Sequence, residues 1–201
     1  MFRKILSDQP DQSVDVIGIG PMVNLADLLN SKPDSSSSLN GIDLVRAKVR
    51  RLVAMAGGFA PTEQGVIPAE WNVVQDLAAT QTVMQSWPTP IVLSPSEVGG
   101  VVMTGKQLMT SGKESNPVKK AYDIYTEGYG RNSWDLVTVY YALCGLSDLW
   151  AISDPGTIDV DDKGITSLRA HPDGHHRYML SKAPIPDVEK VLEALLNTKN
   201  D

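Results

Sequence analysis

The sequence predicts an α/β protein: a mostly parallel open sheet with helices on both faces, followed by C-terminal β-hairpins and a closing helix. Three observations predict it. Apolar, β-branched runs alternate with segments of helical period through the first 150 residues, as in a parallel sheet covered on both sides. Those runs leave through glycine or proline, which marks them as short buried strands. Beyond residue 150, short alternating runs lie between turn signals, the pattern of hairpins.

Taken in order, "MFRKILSDQP" reads as the tail of a helix ended by Pro10. "SVDVIGIG" (13–20) is the first strand, and "PMVNLADLLNS" follows as a helix with Val23, Leu25, Ala26, Leu28 and Leu29 as its apolar positions and Pro21 in its first turn. "KPDSSSSLNG" (32–41) is a polar loop. "IDLVRAKVRRLVAMAGG" carries a short amphipathic turn into a second strand near 51–56. "DLAATQTVMQSW" (76–87) is a helix capped by Asp76, and "TPIVLSPS" (89–96) is the third strand. "NPVKKAYDIYTEG" (116–128) has Asn116 as cap, Pro117 at its first position and Gly128 as its stop. "SWDLVTVYYALCG" (133–145) is an apolar helix, and "PIPDVEKVLEALLN" (184–197) closes the chain. The turns at Asp154-Pro155-Gly156, Asp162-Lys163-Gly164 and Pro172-Asp173-Gly174 divide the hairpin region between them.

Length and composition bound the rest. With 201 residues, 42% of them hydrophobic, residues 1–201 form one domain with a real core. A net charge of −6 argues against a nucleic-acid partner, which needs clustered Lys and Arg. The one dense basic stretch, Arg46, Lys48, Arg50 and Arg51, reads as a solvated helix end or strand edge. A single cysteine, Cys144, excludes an internal disulfide framework and fits a reducing compartment; its apolar setting predicts a buried thiol. No apolar run approaches the ~20 residues of a membrane span, and the first residues lack the apolar stretch of a secretory signal. A cytoplasmic protein with no membrane partner is expected.

If the three strands are parallel, their carboxyl ends lie on one rim, where open α/β sheets bind ligands. Those ends are Ile19-Gly20-Pro21, Met55-Ala56-Gly57-Gly58 and Ser94-Pro95-Ser96-Glu97. The excursion "MAGGFAPTEQGVIPAEWN" (55–72) leaves that rim through two glycines and presents Glu70, Trp71 and Asn72 together, which points to a wall that grips a polar ligand. Other motifs are weaker. "DVDDKG" imitates a calcium loop but has Ala170 where the bidentate Glu belongs, so it reads as a hairpin turn. "HPDGHH" fits no zinc spacing and reads as an exposed turn or the edge of a binding loop. "GIG" lacks the third glycine of a dinucleotide fingerprint. In "NSWD", Asp135 opens an apolar helix, either as a first-turn acid favoured by the dipole or as a ligand for a hard cation or a sugar hydroxyl.

"GIGPMVNLADLL", "MAGG", "AEWNVVQDLAAT" and "SWDLVTVYYA" resemble, in order, four landmark segments of the inosine–uridine-preferring nucleoside hydrolases. "WPTPIVLSPSEVG" and "HPDGHHRYML" resemble a bacterial subgroup with Trp-Asp in place of His-Asp. The match runs over essentially the whole chain, which corresponds to the C-terminal portion of such a domain, with its N-terminal strands missing.

The resemblance implies a calcium-dependent hydrolase that cleaves the N-glycosidic bond of ribonucleosides to ribose and free base. It places Asp135 as a metal-ligating aspartate, the Ile19 backbone carbonyl as a main-chain metal ligand, and Met55 beside the ribose. Glu70 and Asn72 hydrogen-bond the ribose hydroxyls, Trp71 stands where Phe is usual, and Trp134 takes the place of a histidine proposed to protonate the leaving base. Gln64 stands near the place of a further ribose-contacting asparagine. The D-x-D-x-x-x-D-D cluster that supplies most calcium ligands and the base for water is absent from the sequence, so no residue is assigned a catalytic role. This chain alone is therefore expected to bind calcium poorly and to be inactive or strongly impaired. The missing strands leave a sheet edge and an apolar face uncovered, which predicts a homo-oligomer or association through that edge. The alternative is a non-catalytic remnant or accessory domain that dimerises and binds ribosyl ligands weakly.

Overall fold

Strands β1 (Val14–Gly18), β2 (Val49–Met55) and β3 (Ile91–Ser94) pair in parallel in a computed structural model that describes residues 1–198. The register aligns Gly18 with Ala54 and Met55 with Ser94, so the three strands end at one rim. Helices α1 (Phe2–Ser7), α2 (Val23–Asn30) and α3 (Gly41–Lys48) come before β2, and α4 (Trp71–Gln75) and α5 (Leu77–Ser86) before β3. Then follow α6 (Ser96–Gly99), β4 (Met103–Thr104), α7 (Lys106–Ser111), α8 (Pro117–Thr126), β5 (Arg131–Asn132) and α9 (Trp134–Cys144). The chain closes with β6 (Trp150–Ile152), β7 (Gly156–Val160), β8 (Thr166–Ala170), β9 (His176–Ser181) and α10 (Ile185–Leu196).

The sheet separates two cores because strand side chains alternate between faces. Leu52, Ala54, Ile91 and Leu93 turn to one core, shared with Leu28 and Leu29 of α2, Leu44 and Val45 of α3, and Val83 and Met84 of α5. Val53 and Val92 turn to the other, with Val137 and Tyr141 of α9, Trp150, Met179, and Val188 and Leu192 of α10. Two-sided burial is why β2 and β3 lack a polar alternation. At the sheet margin, β1 pairs only with β2 among the described residues, and its five residues are half-buried.

Local chemistry sets the helix ends as read. Asp76 accepts from Ala79 N at 2.9 Å; Asn116 accepts from the amides of Val118 and Lys119 at 2.8 and 3.3 Å, with Pro117 at the first position. The basic stretch is spread between the last turn of α3 and an Asp15 carboxylate that takes both Arg50 and Arg51.

Three expectations are corrected. The C-terminal region is one hairpin rather than a series: β7 and β8 pair antiparallel, but β9 crosses to lie parallel to β3 and antiparallel to β6. Turn signals report local geometry, whereas Tyr178 and Met179 bury on opposite faces, and that draws β9 into the centre of the sheet. Cys144 is exposed, because α9 meets the start of β2 at Ala142, whose carbonyl accepts from Arg51 at 2.9 Å, and its last residues run past the sheet. The histidine cluster is not simply an exposed turn, since His176 is buried. As read, "DVDDKG" is the hairpin turn, closed by Asp161 accepting from the amides of Lys163 and Ile165, both at 2.8 Å. Among the described residues no helix is long and apolar enough to cross a membrane.

Candidate functional site

The long segment between β2 and α4 is folded back onto the carboxyl rim by its own backbone. Gly57 has φ +80°, a conformation that side chains rarely adopt, and this turns the chain out of the sheet. Thr166 Oγ1 then pins Gly58, accepting from its N–H at 3.0 Å and donating to its carbonyl at 2.7 Å. The amides of Phe59 and Ala60 donate to Glu97 Oε1 at 2.9 and 3.0 Å, and the Phe59 ring stacks on Tyr178 with centroids 4.0 Å apart. Thr166, Glu97 and Tyr178 lie far from this segment in sequence, and no local signal marks them as its partners.

Glu70 ends that segment as the cap of α4. Its carboxylate accepts from the amides of Asn72 at 2.9 Å, Val73 at 3.2 Å and Gly57 at 3.3 Å. Only 7% of Glu70 is exposed. Burial raises its pKa, and the backbone N–H groups oppose that shift by favouring the charged form. Asn72, also buried, donates from Nδ2 to the Met55 carbonyl at 3.0 Å, with the Met55 thioether 3.2 Å away. Met55, Glu70 and Asn72 are thus one hydrogen-bonded cluster. Beside them, Ser94 Oγ is buried with no hydrogen-bond partner among the described residues, and sequence reading gave it no role. Trp71 is 63% exposed, its ring open to solvent next to the cluster. Gln64 is exposed on the same segment.

The other side of the rim is the amino end of α9. This helix runs antiparallel to the strands, so Trp134 and Asp135 stand at the end where β3 finishes. Trp134 Nε1 donates to the Ser96 carbonyl at 3.0 Å, and the Arg131 guanidinium lies 5.2 Å over its ring. The approach is close: a Cβ on Gly99 would stand 2.4 Å from Trp134 Cα, so only glycine fits there. Asp135, in the first turn of α9, is exposed and makes no hydrogen bond or ion pair among the described residues; partial burial of its carboxyl raises its pKa. Ile19 is exposed one residue beyond the Gly18–Ala54 pair, level with Met55.

Chemically, this rim can hold a small polyhydroxylated ligand against Glu70, Asn72 and the exposed Trp71. A hard cation is another matter. Calcium takes 6–8 oxygen ligands. Asp135 and the Ile19 carbonyl offer two, and among the described residues no group of three or more His, Cys, Asp or Glu side chains could hold a metal ion. Among the described residues, these two oxygens fall short of the number calcium takes. Trp134 cannot act as a proton donor to a leaving base either, since an indole N–H is not acidic at neutral pH and this one is committed to Ser96.

Comparison with known proteins places the chain. No curated protein matches it in sequence. Its fold is similar to that of the Inosine-Guanosine Nucleoside Hydrolase (IG-NH), with a TM-score of 0.70 at 19% identity over 98% of this chain and 67% of that one. The purine-preferring ribonucleoside hydrolase from Gardnerella vaginalis also gives 0.70, at 15% identity over 98% of this chain and 64% of that one. For the inosine-uridine preferring nucleoside hydrolase from Bacillus anthracis the values are 0.65 and 17%, over 96% and 63%. The chain therefore spans less than two thirds of the length of several structures it matches. Residues 1–182 match the family model described as inosine-uridine preferring nucleoside hydrolase, and the chain belongs to that family.

Proposed function

We propose that this chain carries the sugar-binding half of a hydrolase that cleaves the N-glycosidic bond of ribonucleosides. In the net reaction the C1′–N bond breaks, a water oxygen bonds to C1′, and a water proton ends on the departing base. The observation that carries the reading is the Met55–Glu70–Asn72 cluster at the carboxyl rim of a chain of this family. Glu70 and Asn72 hold ribose hydroxyls, Met55 packs beside the sugar, and Trp71 and Trp134 border the ligand. An oxocarbenium-like transition state gains from a fixed carboxylate and amide dipoles around the sugar, because they need no reorganisation as positive charge develops.

Calcium is the cation proposed for this class, with Asp135 and the Ile19 carbonyl among its ligands. Since they are too few, the remaining carboxylates and the base for water come from protein outside these 201 residues. The half-buried β1 edge is the place where such strands would add, either from a longer form of the chain or from a different chain that carries them. The second reading is a non-catalytic ribosyl-binding domain. It is favoured by the same committed geometry: Glu70 and Trp134 spend their hydrogen bonds on the backbone, which suits holding better than proton transfer.

Inosine, p-nitrophenyl riboside and free ribose in excess calcium test the reading. The 201 residues alone are expected to bind ribose, seen in tryptophan fluorescence, and to release no base. A longer form encoded from the DNA upstream of Met1, if it contains an in-frame D-x-D-x-x-x-D-D, should release base and lose that activity on Asp135→Ala. Ribose binding with no turnover in the longer form selects the second reading. Absence of ribose binding contradicts both.

A further inference from the structure

We propose that the opposite, amino-terminal end of the sheet carries a second binding site, separate from the sugar-facing rim, that takes a small oxyanion such as a phosphate group. A cavity of about 530 Å³ opens there, where β3 and β9 begin. Its polar lining includes Arg46, Gln81, Asp159, Arg169 and His176, with Thr157, Ser86 and His175 beside them, and its apolar lining includes Trp87 and Ile158.

His176 fixes the chemistry of the cavity. The Ile158 N–H donates to its Nδ1 at 3.0 Å. Nδ1 must then carry a lone pair, so in the neutral ring the proton sits on Nε2. The residue is only 3% exposed, and Nε2–H has no partner among the described residues, although the ring lines the cavity. Nε2 is not one of the enclosed polar atoms that lack a partner, so its N–H reaches accessible space and is open to a bound acceptor. Burial, the first cause, together with the neighbouring His175 holds the His176 pKa down to about 4, so the tautomer persists at neutral pH.

Two guanidinium groups and the side-chain amides add further donors. Arg169 uses Nε and Nη2 on the Asp159 carboxylate, each at 3.3 Å, and its Nη1 has no partner among the described residues. Arg46 uses Nη1 on Asp43. Gln81 donates to the Val160 carbonyl at 3.2 Å. Asp159, the only carboxylate in the lining, already faces Arg169. One fixed imidazole N–H and two guanidinium groups with N–H bonds to spare match the acceptors of a tetrahedral oxyanion; they do not match a cation. The inference does not depend on the hydrolase reading.

The test is a titration of the full chain with pyrophosphate and with inorganic phosphate, following the Nε2–H resonance of His176 by nuclear magnetic resonance. Ribose serves as the neutral control. A saturable shift is expected with both anions and none with ribose. Arg46→Gln combined with Arg169→Gln, both on the surface, should weaken binding by about tenfold or more while leaving the His176 resonance of the ligand-free protein in place. A resonance that does not move at millimolar anion overturns the proposal. A shift of equal affinity in the double variant also overturns it, because the anion then binds elsewhere.

Discussion

Glu70 and Asp135 are both carboxylates at the carboxyl end of the same sheet, yet the fold treats them in opposite ways. Glu70 is buried and accepts from three backbone N–H groups, while Asp135 is exposed and accepts from none among the described residues. Asn72 completes the first side by tying itself to Met55, so that wall is held without any ligand. On the second side Trp134 is fastened to Ser96, and the Ser133 N–H to the carbonyls of Gly99 and Val102. One half of the rim is thus tied together by its own hydrogen bonds, and the other presents, in the first turn of α9, a carboxylate without a side-chain partner among the described residues. The difference teaches that the two walls are built separately: the first is held by local capping, whereas the second offers, among the described residues, too few oxygens for the cation proposed there.

Substitutions test that contrast. The largest effect is expected for Glu70→Ala, which strands three amides near a buried rim. A loss of about 3 kcal/mol or more of unfolding free energy is predicted by urea denaturation, together with loss of ribose binding. Asn72→Ala removes one buried hydrogen bond and packing against Met55, and should cost about 1–2 kcal/mol. Trp134→Phe keeps the ring but loses the bond to Ser96, for about 1 kcal/mol.

Asp135→Asn should change stability least, within about 0.5 kcal/mol, as for an exposed position. Its pH dependence carries a sign. The folded pKa of Asp135 is raised, so the protonated form is favoured on folding; that contribution is present below pH 3.8 and is lost as pH rises through the folded pKa. Asn at this position should therefore flatten the corresponding fall in stability with rising pH. A large loss of stability in Asp135→Asn would show that the two sides are not as different as described.

How much of this was legible in the sequence depends on the range of the interaction. Caps and turns are local, so Asp76, Asn116-Pro117 and the Asp161 turn could be read from neighbouring residues. Parallel order followed from strand–helix alternation. What escaped depended on distant contacts. Thr166 holds Gly58 across 108 residues of chain, and β9 leaves its hairpin for β3. The burial of His176 likewise follows from that crossing, not from its own neighbours. At the site, a capping carboxylate and a sugar-binding carboxylate look alike in sequence; the structure shows Glu70 as the cap, and its role toward a sugar is the proposal.

The central proposal is that this chain carries a preformed wall for a sugar and, among its described residues, too few oxygens for a cation. Titration calorimetry of the 201-residue chain with calcium tests it most directly. The account predicts no measurable heat of binding at micromolar calcium. Stoichiometric micromolar binding that disappears in Asp135→Ala would contradict it.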